Sequence, residues 1–383
     1  MTPSISSKLP NVGTTIFTVM SALANEHRAI NLSQGFPDFA VPKALLDAVD
    51  RHLREGHNQY APMAGLPALR QAIADKTRGL YQVTIDPDTE ITVTSGATEA
   101  IFDAVTSVVH PGDEVILFDP AYDSYEPAVD LCGGRAIRIP LQPPSFAVDW
   151  DRVRDAITPR TRLIMLNTPH NPSGTVWSSR DMDNLAGLVR DTGILVLSDE
   201  VYEHILFDGL EHPSVLRHPE LSARSFAVFS FGKTYHATGW KLGYCVAPPS
   251  MTAEFRKVHQ YVTFCTSTPM QHALADFMVS APEHWQRLPA FYQARRDRFC
   301  ALLKGSRLRF VPSSGTYFQL VDYSAISDLD DMSYARKLTI ESGVAAIPVS
   351  VFYKEPPAAK LLRFCFAKDE STLERAAEVL RKL

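Results

Sequence analysis

The chain reads as an α/β protein in which a mostly parallel central sheet, flanked by helices, is joined to a smaller α+β domain. Three observations predict this. Short, near-continuous apolar runs rich in β-branched residues recur from about residue 68 onward, with helical patterns between them. Runs of that kind suit strands buried on both faces, as in parallel sheets between helix layers. A length of 383 residues exceeds what one simple core serves, so about two domains are expected. The texture also changes after about residue 283, giving an expected division into a large domain, 46–282, and a small one, 1–45 with 283–383.

Taken in order, Ile91-Thr92-Val93-Thr94-Ser95 is a β-branched run followed by a helical pattern from Ala97 to Val109. Pro111-Gly112-Asp113 turns the chain into the apolar run Glu114–Phe118. Further strands are expected at 162–166, 193–198, 227–230 and 242–247, with a helical stretch at 180–191. A long helix is expected from Glu283 to Leu303 and a last one over 371–382, with Pro356-Pro357 marking a loop between them.

Composition narrows the function classes. With 45% hydrophobic and 21% charged residues the composition is that of an ordinary soluble globular protein, and a net charge of −5 disfavours nucleic acid or an anionic membrane as partner. Five scattered cysteines without a C-x-x-C pair read as reduced thiols. Pro10, Asn11 and Gly13 interrupt any apolar segment after Lys8, so no signal peptide is expected, and no apolar run approaches the length of a membrane helix. A cytoplasmic enzyme acting on small molecules is the expectation.

The most informative stretch is Val228–Gly243. Lys233 follows an apolar run, Ser230 stands three residues before it and Lys241 eight after it. A lysine leaving a buried strand loses solvation and can act as an amine nucleophile. A hydroxyl and a second cation beside it suit a bound anion. Together they suggest an aldehyde cofactor carrying a phosphate, pyridoxal phosphate. Two other readings compete. Most lysines are solvated surface charges. Gly232-Lys233-Thr234 also resembles the end of a nucleotide phosphate loop, but that loop needs glycine where Ala227 stands inside an apolar strand.

Ligands in open α/β sheets sit beyond the carboxyl ends of the strands, and those positions supply a consistent set. Gly96-Ala97-Thr98 opens a helix after the first strand, which makes an anion site; a tight turn is the plainer alternative. Tyr122, after the strand ending at Phe118, could stack on a flat ring or simply pack. The segment Asn167–Gly174, with two prolines, could aim Asn171 at a ligand oxygen or serve only as a turn. Asp199, directly after a buried run, calls for a cationic partner, a pyridinium nitrogen among them, unless it caps a helix.

On these residues the sequence resembles the class I and II aminotransferases, the fold-type I group of pyridoxal phosphate enzymes. The motifs are Asn167–Gly174, Asp199-Glu200-Val201-Tyr202, Ser230-Phe231-Gly232-Lys233 and Leu362–Ala367. Ser33–Phe39, Asn58-Gln59-Tyr60 and Thr238-Gly239-Trp240-Lys241 look like the branch of kynurenine and bacterial methionine aminotransferases. The segment Gly13–Ala24 and the run through Val258–Tyr261 look like the methionine enzymes in particular.

The resemblance implies that Lys233 forms the Schiff base and that Asp199 pairs with the pyridine nitrogen. Asn171 and Tyr202 would bond the ring hydroxyl oxygen, and Tyr122 would stack on the ring. The phosphate would be held by the backbone at Ala97 and Thr98, by Ser230 and by Lys241, with Tyr60 reaching the neighbouring subunit's phosphate in a homodimer with shared sites. Arg363, aided by Asn171 and Gly35, would clamp the substrate carboxylate. No metal is implied. Lys241 stands where many aminotransferases carry arginine, and Thr98 where kynurenine enzymes often have tyrosine.

Apolar pocket candidates Ile16, Phe17, Tyr60, Tyr122 and Phe352, with no candidate second arginine, point to methionine and aromatic amino donors with 2-oxo acid acceptors rather than acidic donors. A kynurenine or glutamine specificity, or β-lyase activity on cysteine conjugates, could use the same scaffold. A transcription regulator built on this fold would need a DNA-binding domain, for which the roughly thirty residues before Ser33 leave no room.

Overall fold

A computed structural model describes residues 5–383. Seven strands form the central sheet: β1 (Ile91–Thr94), β2 (Glu114–Asp119), β3 (Arg135–Pro140), β4 (Thr161–Asn167), β5 (Leu195–Asp199), β6 (Ser225–Ser230) and β7 (Gly243–Val246). Their spatial order is β1-β7-β6-β5-β4-β2-β3. Only β7 runs against its neighbours, pairing antiparallel with both β1 and β6, so the sheet is mostly parallel as expected. β3 was not anticipated. Arg135 and Arg138 interrupt its apolar pattern, which edge position permits.

The strands alternate sides, and each face has its own apolar layer. Ile116, Phe118, Ile164, Leu166 and Phe229 join one cluster; Val115, Leu117, Leu163, Met165 and Val228 join the other. The period of two thus persists although both faces are buried, and helices cover each side. Helix Gly96–Val108 packs over the second layer through Ala100, Ile101, Ala104 and Val105.

A third cluster joins Met20, Leu23 and Leu32 near the N-terminus to Phe299, Leu303, Phe364 and Ala377. Ile30–Asn31 pairs in parallel with Val344–Ala345, and Leu361–Cys365 lies antiparallel between Ile347–Pro348 and Phe318–Asp322. Helix Glu283–Leu303 has the bounds expected from the sequence. Helix Lys43–Arg54 straddles the expected domain boundary, and its Leu45 and Ala48 belong to the large apolar cluster. We propose that the small domain's N-terminal part ends where this helix begins. Among the described residues no helix is long and apolar enough to cross a membrane, and the five cysteines are free.

Candidate active site

The carboxyl ends of β1, β4, β5 and β6 open into a cavity of about 310 Å³. Its lining includes Gly35, Ala97, Thr98, Tyr122, Asn171, Asp199, Tyr202, Ser230, Lys233, Lys241, Arg363 and Phe17, residues far apart in the chain.

At one end, β1 runs into helix Gly96–Val108, whose first N–H groups have no acceptor within the helix. Two glycines shape this end. Gly96 has φ +77°, and a Cβ there would crowd the Lys241 amine at 3.3 Å. A Cβ on Gly243 would stand 2.8 Å from the Ala97 nitrogen and 2.6 Å from the Phe229 carbonyl oxygen. Lys241, itself in the left-handed region at φ 54°, turns Nζ to 3.4 Å from Thr98 Oγ1, and Ser230 lines the same corner. Helix dipole, free N–H groups, hydroxyls and an ammonium make a donor set for a phosphate-sized anion.

At the centre, Lys233 sits in the short helix Phe231–Thr234 that follows β6, and Ala227 lies fully buried inside that strand. Lys233 Nζ donates to the Gly35 carbonyl at 3.3 Å and lies 5.7 and 5.6 Å from the ring centres of Tyr202 and Tyr317. Burial lowers its affinity for a proton to a pKa of about 8, against the opposing pull of Asp199.

Asp199 ends β5, and burial raises its pKa to about 6. Tyr125 donates to its Oδ2 at 2.6 Å, and the Val201 N–H approaches Oδ1 at 3.3 Å. Tyr202 is buried, with its ring edge-on to Tyr317 at 5.2 Å. Tyr122 is partly open to the cavity beside Phe17, their ring centres 6.4 Å apart.

At the far end Arg363 is fully buried on strand Leu361–Cys365. It donates to Asn171 Oδ1 at 2.7 Å and to the Ser33 carbonyl at 3.1 Å, and its guanidinium lies over the Phe318 ring at 3.9 Å. Its Nε has no partner among the described residues, and no carboxylate pairs with it there. A buried cation so placed is costly unless an anion completes it.

Of the residues singled out from the sequence, Tyr60 alone among the named site set stays outside the cavity. It is 84% exposed and rests edge-on against Phe264 at 5.5 Å. Of the pocket candidates, Ile16 and Phe352 do not line the cavity; Phe352 is buried behind Phe17, 5.8 Å between ring centres. Sequence reading passed over Tyr125 and Asn167. Asn167 accepts from the Asn171 N–H at 2.7 Å and donates to the Asp199 carbonyl at 2.8 Å, tying two strand ends together. Its place at the end of a buried strand was a usable signal. Tyr125 opens a helix three residues after Tyr122, a spacing that places both near one strand end.

Fold and cavity together define an enzyme of the aminotransferase type, and the comparison with known families agrees: the chain belongs to the class I and II aminotransferases, whose family pattern matches residues 27–380. It is 58% identical to methionine aminotransferase of Escherichia coli strain K12 over 377 residues, covering 98% of each chain. A crystal structure of an Escherichia coli protein for which a methionine aminotransferase function was identified superposes with a TM-score of 0.98, at 57% identity over 100% of both chains. A probable N-succinyldiaminopimelate aminotransferase of Mycobacterium tuberculosis is 38% identical, again over 98% of each chain.

Proposed function

We propose that the cavity holds pyridoxal phosphate and that the enzyme moves amino groups from methionine and other apolar or aromatic L-amino acids to 2-oxo acids. The donor set fits the cofactor. The N–H groups of Ala97 and Thr98, Ser230 and Lys241 suit its phosphate; Asp199 suits its ring nitrogen; Asn171 and Tyr202 suit its ring oxygen; Tyr122 suits its ring face. Bound there, the cofactor supplies an aldehyde that captures amino groups and a ring that accepts electrons from the substrate's α-carbon.

The chain's own groups do the rest. Arg363 fixes the substrate α-carboxylate, which sets the direction of the α-carbon's bonds. Lys233, whose burial makes its proton easier to lose, takes the proton from that carbon in its neutral form and returns one at the end of the half-reaction. Asp199 holds positive charge at the ring nitrogen through a carboxylate whose own partners are already in place.

The observation that carries this reading is Arg363, buried without an anionic partner among the described residues, at one end of a cavity with a desolvated lysine at its centre. Specificity rests on the remaining lining. Among the described residues there, the cations are Lys233, Lys241 and Arg363, which leaves none for a side-chain carboxylate. Phe17, Ile101, Tyr122 and Phe318 offer apolar surface instead. The close relationship to methionine aminotransferase supports methionine as a donor. A panel of amino donors with matched oxo acids, with bound-cofactor absorbance followed in the same samples, tests this; methionine should lead and aspartate lag, and a clear aspartate preference would defeat the specificity.

The exposure of Tyr60 beside Phe264 supports a homodimer in which this residue reaches the second copy's site, and the enzyme is further proposed to be cytoplasmic. Sedimentation velocity should give twice the chain mass.

A further inference from the structure

Away from the cavity, three imidazoles meet where helix Lys43–Arg54 packs against helix Thr268–Ser280. His52 lies in the last turn of the first helix. The chain then turns at Gly56, φ +89°, and brings His57 back so that its Nδ1 stands 2.8 Å from His52 Nδ1. His272 comes from the second helix, and its ring stacks on His57 at 4.2 Å between centres. One ring nitrogen from each of the three lies within 4.8 Å of the other two.

The surroundings are those of a ligand set. Asp276, one turn beyond His272, accepts from His52 Nε2 at 2.8 Å and is also held by Arg51. Arg51 Nη2 also stands 3.2 Å from that Nε2; with the Nε2 proton given to the nearer Asp276, the Nδ1 lone pair points at His57. This carboxylate–imidazole pairing is how proteins orient a metal-binding histidine. Glu55 Oε2 stands 3.5 Å from the same Nδ1, within reach as a fourth ligand, through oxygen. His52 is buried, whereas His57 and His272 are half-buried and so open to solvent.

We propose that His52, His57 and His272 form a binding site for a divalent transition metal of the zinc class, completed by Glu55 or water. Three neutral imidazoles and one oxygen are a usual set for a four-coordinate ion with bonds of about 2.0–2.1 Å. To reach it, His52 stays fixed by Asp276 while the partly exposed His57 and His272 rings swing so that their lone pairs converge. The site adjoins the segment that carries Tyr60: Asn58 donates to the Leu53 carbonyl at 2.9 Å, and Thr268 donates to the Gln59 carbonyl at 2.6 Å. A bound ion therefore fastens this segment to helix Thr268–Ser280. The alternative is a purely packed stack of rings, which would bind no ion.

The test uses the holoenzyme, freed of any affinity tag and dialysed against a chelator. Zn2+ alone is titrated by calorimetry, and Co2+ alone is followed by visible absorption. The expected result is about one Zn2+ per chain and the intense visible bands of four-coordinate Co2+. His57→Ala and His272→Ala should each weaken Zn2+ binding by at least tenfold, and Asp276→Asn by about 10- to 100-fold, while turnover of the metal-free His272→Ala enzyme stays at the wild-type level. Wild-type Zn2+ binding no stronger than that of the His57→Ala/His272→Ala double variant would overturn the proposal. So would a Co2+ spectrum with only the weak bands of six-coordination.

Discussion

Asp199 and Arg363 are two charge-bearing groups that the cavity buries, and the protein surrounds them differently. Asp199 has a phenol and a backbone N–H already turned toward its oxygens. Arg363, more deeply buried, has only an amide oxygen and a carbonyl, with Nε unpartnered among the described residues. One has its partners before anything binds; the other is completed by what binds. A buried carboxylate with preset donors suits a long-resident group, whereas an under-partnered guanidinium suits a ligand that enters and leaves with each turnover.

Lys233 feels the charge of both groups and carries the reactive amine, so removing it should produce the largest effect. Lys233→Ala is expected to lower turnover by about 10⁴-fold while leaving the thermal midpoint near wild type; steady-state assays with methionine measure the first and calorimetry the second. Wild-type turnover in this variant would sink the assignment of the amine.

The arginine end separates binding from stability. Arg363→Lys keeps the charge but loses the fork, and should cost about 3 kcal/mol in kcat/KM, mostly through KM. Arg363→Met should abolish carboxylate binding yet raise the melting temperature of the substrate-free protein, because an incompletely partnered buried cation is gone. A drop in that temperature would mean the guanidinium is better satisfied than its contacts indicate.

The carboxylate should respond more gently. Tyr125→Phe removes the 2.6 Å hydrogen bond to Asp199 and should cost about 1 kcal/mol in cofactor affinity. It should also raise the Asp199 pKa further, since that bond favours the ionised form. The smallest effect is on stability against pH. Folding raises the Asp199 pKa from 3.8 to about 6, so the folded, cofactor-free protein binds more protons than the unfolded chain between those values. Its stability should therefore fall as pH rises through that window, and Asp199→Asn should flatten that part of the urea-midpoint profile. An unchanged slope in the variant would place the titration elsewhere.

Much of this was legible in the sequence because the strands are buried on both faces. Runs such as Glu114–Phe118 and 227–230 need no tertiary knowledge to be recognised, and their ends mark where Asp199 and Lys233 emerge. What escaped depended on neighbours in space. The reversed direction of β7 leaves no trace in the apolar run at 242–247, since strand sense is set by connection rather than composition. Tyr125 becomes a partner of Asp199 only through the fold, which joins positions 74 residues apart. His52 and His57 are near in sequence, but their third companion belongs to a distant helix. Tyr60 was read as reaching a neighbouring subunit's phosphate, and in a single chain it stands on the surface.

The side-chain amide of Asn171 gives the cavity a sense of direction. Its oxygen is taken by Arg363 Nη1 at 2.7 Å, so the amide cannot turn over without breaking that bond. Its Nδ2 hydrogens have no acceptor among the described residues, and Asn171 lines the cavity. The residue thus acts as a polarity key: it admits a group that offers a lone pair at that spot and penalises one that offers only a hydrogen. An isosteric Asn171→Asp variant reverses the key, and should discriminate against the ligand oxygen that the amide welcomes.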